Sequence, residues 1–255
     1  MDPAWHPARD ALDRAEAAGR CVDVWLRDDD CVAVTPALER LAALCAGVGL
    51  PALLAVIPEP AEAALGPWVE EHTTFAPCQH GFRHSNHAPA GERARELGGR
   101  PPAATLGALA RGRAKLRALF GERLVDVLVP PWNRIDAELV ARLPELGFRA
   151  LSCFAPTPDG SPIPRLDSDL DIVDWRAGRT GRPLDDLARR IAGTVEAGSR
   201  LGILTHHLAH DAAAWGALDA TLAALAAHPA ARFTSAAALL RVSPGAEQPR
   251  PGGIA

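Results

Sequence analysis

The chain has 255 residues, a formal net charge of −4 and 48% hydrophobic residues. That length and balance suit a globular protein with one large domain, and the slight acidity argues against nucleic acid or an anionic membrane surface as a partner. Tyrosine is absent and there are nine histidines, so no phenol can serve as acid, base or nucleophile.

Short apolar strands alternate with Ala/Leu-rich amphipathic segments. Residues 9–18 read as a helix stopped at Gly19. Residues 21–26 are apolar and β-branched, a strand. Thr35-Pro36 supplies an N-cap and a first-turn proline for a helix to about residue 45. Strands follow at 51–57 and 73–78, then a Gly/Pro/charge-rich loop at 88–102 and a helix at 104–119. A strand at 124–129 stops at Pro130-Pro131, and a helix at 136–146 and a strand at 148–154 come next. The Pro-rich segment 155–169 is irregular. A strand at 170–173, a helix at 183–197, a strand at 201–205 and a helix at 212–227 complete the alternation. A last strand at 232–234 precedes a closing helix capped by Ser235. Residues 243–255 read as a disordered tail, leaving 1–242 as a single domain. Repeated βα units favour a parallel sheet, open or closed into a barrel. In such folds the site gathers on loops beyond the C-terminal strand ends.

The longest apolar run, near 50–57, is interrupted by Pro51 and too short to span a bilayer. The N-terminal segment has no apolar core of a secretory signal. Five cysteines without a Cys-x-x-Cys fit neither a disulfide framework nor a zinc ribbon. They suit a reducing compartment, so the cytoplasm is the expected location.

Chemically capable groups fall on the expected rim. Asp28, Asp29 and Asp30 follow the first strand. Three adjacent carboxylates repel one another and call for a metal ion or Arg27 nearby; an exposed acidic turn is the alternative. His80 and His84 are four apart, a spacing that on a helical turn shares one face and can grip a metal. His87 lies three further on. His206 follows the 201–205 strand and suits a proton donor, with an unperturbed pKa of about 6.5. His207 and His210 read as structural or surface groups. Asp171 and Asp174, beside Trp175, offer a carboxylate to orient a cation. His6, His72 and His228 stand outside these clusters.

Together these motifs resemble the polysaccharide deacetylase (NodB-homology) family, carbohydrate esterase family four, over about residues 21–240. Arg27-Asp28-Asp29-Asp30-Cys31 stands for Thr-Phe-Asp-Asp-Gly, and His80-Gly81-Phe82-Arg83-His84 for His-(Ser/Thr)-x-x-His. Val129-Pro130-Pro131-Trp132 stands for Arg-x-Pro-Tyr, Asp171 to Trp175 for Asp-x-x-Asp-Trp, and Leu204-Thr205-His206 for Leu-x-His. The resemblance implies a distorted (β/α) barrel of about seven parallel strands and a divalent metal, zinc first, held by Asp30, His80 and His84. Asp29 is then the base, His206 the acid that protonates the leaving amine, and the backbone N–H after Pro131, that of Trp132, an oxyanion donor. An alternative register makes Asp28 the base and Asp29 the ligand. The third-motif arginine is Val129 here; Arg27 or Arg134, paired with Asp174, is expected to replace it. The implied activity is removal of an acetyl group from an N-acetylated sugar or related amide, carried on an oligosaccharide or glycoconjugate precursor. The alternatives are a metal-dependent amidase or esterase acting on a non-sugar small molecule, and a non-catalytic carbohydrate-binding barrel.

Overall fold

The structure, a computed structural model, describes residues 3–155, 161–198 and 200–241. The segment read as a tail, 243–255, lies outside them. In chain order the elements are α1 (His6–Ala17), β1 (Val22–Cys31), α2 (Pro36–Val48), β2 (Ala52–Val56), α3 (Leu65–Glu71) and β3 (Phe75–His80). Next come α4 (Pro102–Phe120), β4 (Val127–Val129), α5 (Ala137–Val140), β5 (Ala150–Leu151), β6 (Leu170–Asp171) and the short pair β7 (Val173–Asp174) and β8 (Thr180–Gly181). The chain ends through α6 (Leu184–Ala197), β9 (Arg200–Thr205), α7 (Ala212–Ala226), β10 (Ala231–Phe233) and α8 (Ala236–Arg241).

The main sheet runs β5-β4-β3-β2-β1-β9-β6, with β10 beside the start of β1. Every pairing in it is parallel. It curls with its helices into the expected distorted barrel. Between the edge strands the ring is completed irregularly, by single bridges from Leu151 to Arg165 and from Phe154 to Ser168. Pro164, just before the first bridge, has no N–H to donate to a continuous ladder.

Side chains alternate across a strand with a period of two, and β1 shows what this does. Val22, Val24 and Leu26 pack outward into the large core beneath the helices. Trp25 turns inward, into a second cluster with Leu53, Ala55, Cys78, Val127 and Val129 that α8 closes through Ala236 and Leu239. Gly202 of β9 makes room for that indole, because a Cβ there would lie 2.8 Å from Trp25 Nε1. Continuing the alternation puts Arg27 and Asp29 on the inner face and Asp28 on the outer one.

Several boundaries differ from the sequence reading. The first strand runs through the three aspartates to Cys31, so they lie within it, not after it. The helix expected over 136–146 is one turn of α5 and a separate 3-10 turn, Leu143–Leu146. Pro144 lacks an N–H and its ring clashes with the preceding turn. Helix α3, with no side-chain cap and Pro67 in its first turn, gave no sequence signal; buried Leu65, Trp68 and Val69 hold it. The hairpin β7–β8 has two residues per strand, too short for periodicity to register.

Candidate active site

The floor of the site is a buried ion pair. Arg27 is fully buried (0% exposed). Its Nε lies 2.9 Å from Asp29 Oδ1, and its Nη2 donates to Asp29 Oδ2 at 3.0 Å. The rest of the guanidinium is used as well: Nη1 donates to Ser152 Oγ (2.8 Å) and the Cys153 carbonyl (3.0 Å), and Nη2 to Asn133 Oδ1 (2.7 Å). One hydrogen bond and one close ion contact thus hold the Asp29 carboxylate against the guanidinium.

Strict alternation would send Asp30 outward with Asp28. A bulge prevents it. Between the pairs Asp28–Leu54 and Cys31–Val56, β1 carries one residue more than β2, and Asp30 takes a left-handed φ of 69°. Bulges of this kind re-aim a side chain. Asp30 Oδ1 thereby meets His80 Nε2 at 3.1 Å and His84 Nε2 at 3.3 Å. The ligand atoms of Asp30, His80 and His84 all lie within 4.8 Å of one another.

His80 ends β3 with its Nδ1 hydrogen-bonded to the Val129 carbonyl at 3.0 Å, which points Nε2 into the site. His84 reaches the same point along a non-helical loop, with positive φ at Gly81 (54°) and His84 (58°). The expected helical turn is absent. Burial pushes the Asp30 carboxyl up, but the hydrogen bond and charge of His80, with His84, more than offset it and hold it below the usual range. For His80 burial is likewise outweighed, by the charge of Asp29 and the bond and charge of Asp30, and its pKa is raised. Burial prevails at His84 and lowers its pKa, which favours the neutral imidazole that metals require. The Trp132 ring packs on His84 at 4.2 Å between centroids. Trp132 and Asn133 both take positive φ, 55° and 58°, in a turn closed by Asn133 N–H to Pro130 and Arg134 N–H to Pro131.

His206, just past β9, lies beside Asp29. Its Nε2 is 3.9 Å from Asp29 Oδ2 and its Nδ1 is 4.0 Å from Asp171 Oδ1. Asp171 is fixed by the Val173 N–H (2.9 Å) and by Trp175 Nε1 (2.8 Å), and the Trp175 indole meets His206 edge-on at 4.8 Å. Burial raises the Asp171 pKa despite His206 and those bonds.

Other named residues lie elsewhere. Asp28 is on the outer face, where it accepts from Thr205 Oγ1 (2.7 Å) and the His207 N–H (3.0 Å) and pairs closely with His207 Nδ1. That geometry places Asp28 on the side of the sheet opposite Asp29, away from His80 and His84. Asp174 does not meet Arg27; it pairs with Arg182 at 3.1 Å, because the β7–β8 hairpin turns it from the barrel mouth. Arg134 donates to the Ala94 carbonyl (2.8 Å), so of the two arginines it is Arg27 that meets Asp29. Two residues escaped the sequence reading. Asn133 sits one past the Pro-Trp motif, a near miss. Glu96 is 4% exposed and binds the backbone of residues 82–84; it lay unmarked in a charge-rich loop.

No family model and no curated protein matches the sequence. Solved structures do. A candidate polysaccharide deacetylase from Mycobacterium smegmatis aligns over 88% of this chain and 90% of its own, with 16% identity and a TM-score of 0.66. The chain has the polysaccharide deacetylase fold. A family 4 acetyl xylan esterase from Clostridium thermocellum, solved with a cobalt ion, shares this fold over 86% of this chain and 90% of its own (15% identity, TM-score 0.57). So does a mutant of a family-four pseudoenzyme with restored activity, over 87% of this chain and 68% of its own (13% identity, TM-score 0.61).

Proposed function

We propose that the chain is a divergent member of the polysaccharide deacetylase family. In this reading it is a metal-dependent hydrolase that removes an acetyl group from an N-acetylated sugar or related amide. The observation that carries the proposal is the convergence of Asp30, His80 and His84 on one point, with His206 beside Asp29. One carboxylate and two imidazoles leave coordination positions open, the donor set of a catalytic ion rather than a structural one. These residues fit a divalent ion, zinc first, and the cobalt ion of the xylan esterase accords with that chemistry. When bound, the ion supplies Lewis acidity, which lowers the pKa of water and polarises a carbonyl.

The chain's own residues divide the remaining work. Asp29, oriented by Arg27, takes the proton from the attacking water. Both its oxygens touch Arg27, yet a carboxylate has lone pairs to spare. The Trp132 N–H is not used to close its turn and donates to the developing oxyanion, with Pro131 fixing the approach. His206, packed against the Trp175 edge and with the Asp171 carboxylate 4.0 Å from its Nδ1, delivers a proton to the leaving amine. Arg27 does for Asp29 what the third-motif arginine does elsewhere. Its presence weighs against the non-catalytic reading, whose main support was Val129. The proposed substrate is an oligosaccharide or glycoconjugate precursor. Among the described residues no helix is long and apolar enough to cross a membrane, and the unpaired thiols favour the cytoplasm.

The test joins elemental analysis to acetate release. The purified chain is expected to hold about one equivalent of divalent ion and to release acetate from N-acetylated sugars. Chelation should abolish the release and metal restore it. Metal-loaded protein that binds such sugars without turnover would reject the hydrolase.

A further inference from the structure

Glu96 has no part in the chemistry above, yet it is among the most buried charged groups of the chain. Its Oε2 accepts from the Phe82 N–H (3.0 Å) and the His84 N–H (3.3 Å), and its Oε1 from the Arg83 N–H (2.7 Å). Consecutive amides of the loop joining His80 to His84 thus converge on one carboxylate. Backbone N–H groups turned to one side form a cradle for an anion, and here the anion is built in. Gly81 belongs to the same device. A Cβ there would lie 2.1 Å from Glu96 Oε2 and 2.5 Å from Pro131 Cγ. The resembled family carries Ser or Thr at this place; this chain leaves it bare and brings a carboxylate in from a distant segment.

That segment is tied to the turn after β4. Arg134 Nη1 donates to the Ala94 carbonyl (2.8 Å), the Asp136 N–H to the Leu97 carbonyl (2.9 Å), and the Gly99 N–H to Asp136 Oδ2 (3.3 Å). The same turn carries Trp132, packed on His84, and Asn133, bonded to Arg27. Glu96 therefore joins the loop of the metal-ligand candidates to the turn that touches the base and the oxyanion donor.

We propose that Glu96 is a positioning residue that shapes the 81–84 loop for a divalent cation by fixing His84 Nε2 opposite Asp30. This rests on the metal reading above. His84 holds a left-handed φ, which costs a non-glycine residue and persists only when its surroundings fix it. Carboxylates behind metal ligands typically govern affinity without touching the ion.

The experiment titrates zinc and cobalt into the metal-free full chain, with a chromophoric chelator as competitor and the cobalt absorption spectrum as the readout of ligand geometry. Glu96→Ala is expected to weaken affinity about 10–100-fold and to alter the cobalt spectrum. Glu96→Gln keeps one acceptor oxygen but turns an NH2 toward an N–H, so its loss should be smaller. Circular dichroism and thermal melting establish that each variant is folded; should the Ala variant fail to fold, the Gln variant decides. Folded variants with wild-type affinity and a wild-type cobalt spectrum would overturn the proposal. A wild type that binds neither ion would instead overturn the metal reading, so the two failures are distinguishable.

Discussion

His80 and His84 are four residues apart and both reach Asp30. His206 and His207 are adjacent and reach different carboxylates: His206 faces Asp29 and Asp171, while His207 pairs with Asp28 on the other side of the sheet. The backbone makes the difference. The chain leaves β9 still alternating, so Leu204 and His206 turn inward and Thr205 and His207 outward. After β3 the chain bends through positive φ at Gly81 and His84, and two residues that a regular strand would hold about 13 Å apart on one face are brought to one point.

The largest effect should come from the first cluster. His84→Ala is expected to reduce bound metal from about one equivalent to a trace and to abolish acetate release. His84 is only partly buried at a loop, so the melting temperature of the metal-free chain should hardly change. Elemental analysis decides it, and full metal content in the variant would separate His84 from the site. His206→Ala should behave differently. Loss of a general acid lowers kcat by about 10²–10⁴, with metal content unchanged and with loss of the limb of the pH–rate profile that reports the proton donor. Metal loss on changing His206 would make it a ligand and erase the division between the clusters.

His207 should affect folding, not chemistry. Burial raises the Asp28 pKa, but the charge and bond of His207, with Thr205, outweigh it and bring it below 3.8. Burial at His207 is outweighed in turn by Asp28, which raises its pKa above 6.5. The Asp28 contribution to stability is therefore present above 3.8 and lost as pH falls through its lowered value. The His207 contribution is present in full below 6.5 and lost as pH rises through its raised value. His207→Ala leaves a buried carboxylate unpaired, which costs about 3–5 kcal/mol, while metal content should stay at the wild-type level. Urea unfolding read beside elemental analysis tests both halves.

Much of this was legible in the residues. Thr35-Pro36 marks a helix start that the structure keeps, with Thr35 Oγ1 accepting from Leu38. The strand runs give a parallel sheet, and Asp29, Asp30, His80, His84 and His206 lie at the C-terminal ends of its strands. What stayed hidden was decided by single backbone torsions and long-range contacts. Nothing local says that Asp30 sits on a bulge, yet the bulge turns two neighbouring carboxylates to one side. Period two alone would have paired Arg27 with Asp29 on one face, and the expected Arg27–Asp174 pair ignored it. Glu96 was hidden for a different reason: its partners are backbone amides, which have no sequence signature.

The smallest expected effect concerns His210. Its ring lies edge-on to Trp215 at 4.6 Å, its Nε2 is 3.5 Å from the His206 N–H, and its buried Nδ1 has no partner among the described residues. Burial lowers its pKa from 6.5 to about 4. Between those values the unfolded chain holds a proton that the folded chain does not, so stability rises with pH across the window and falls as the solution is acidified. His210→Gln removes that proton. Between pH 7 and pH 5 the wild type should therefore lose about 1–2 kcal/mol more stability than the variant, measurable as a difference in urea midpoints. Metal content and turnover at pH 7 should match the wild type. Equal losses would mean that His210 titrates as a solvated ring rather than as a half-buried neutral one.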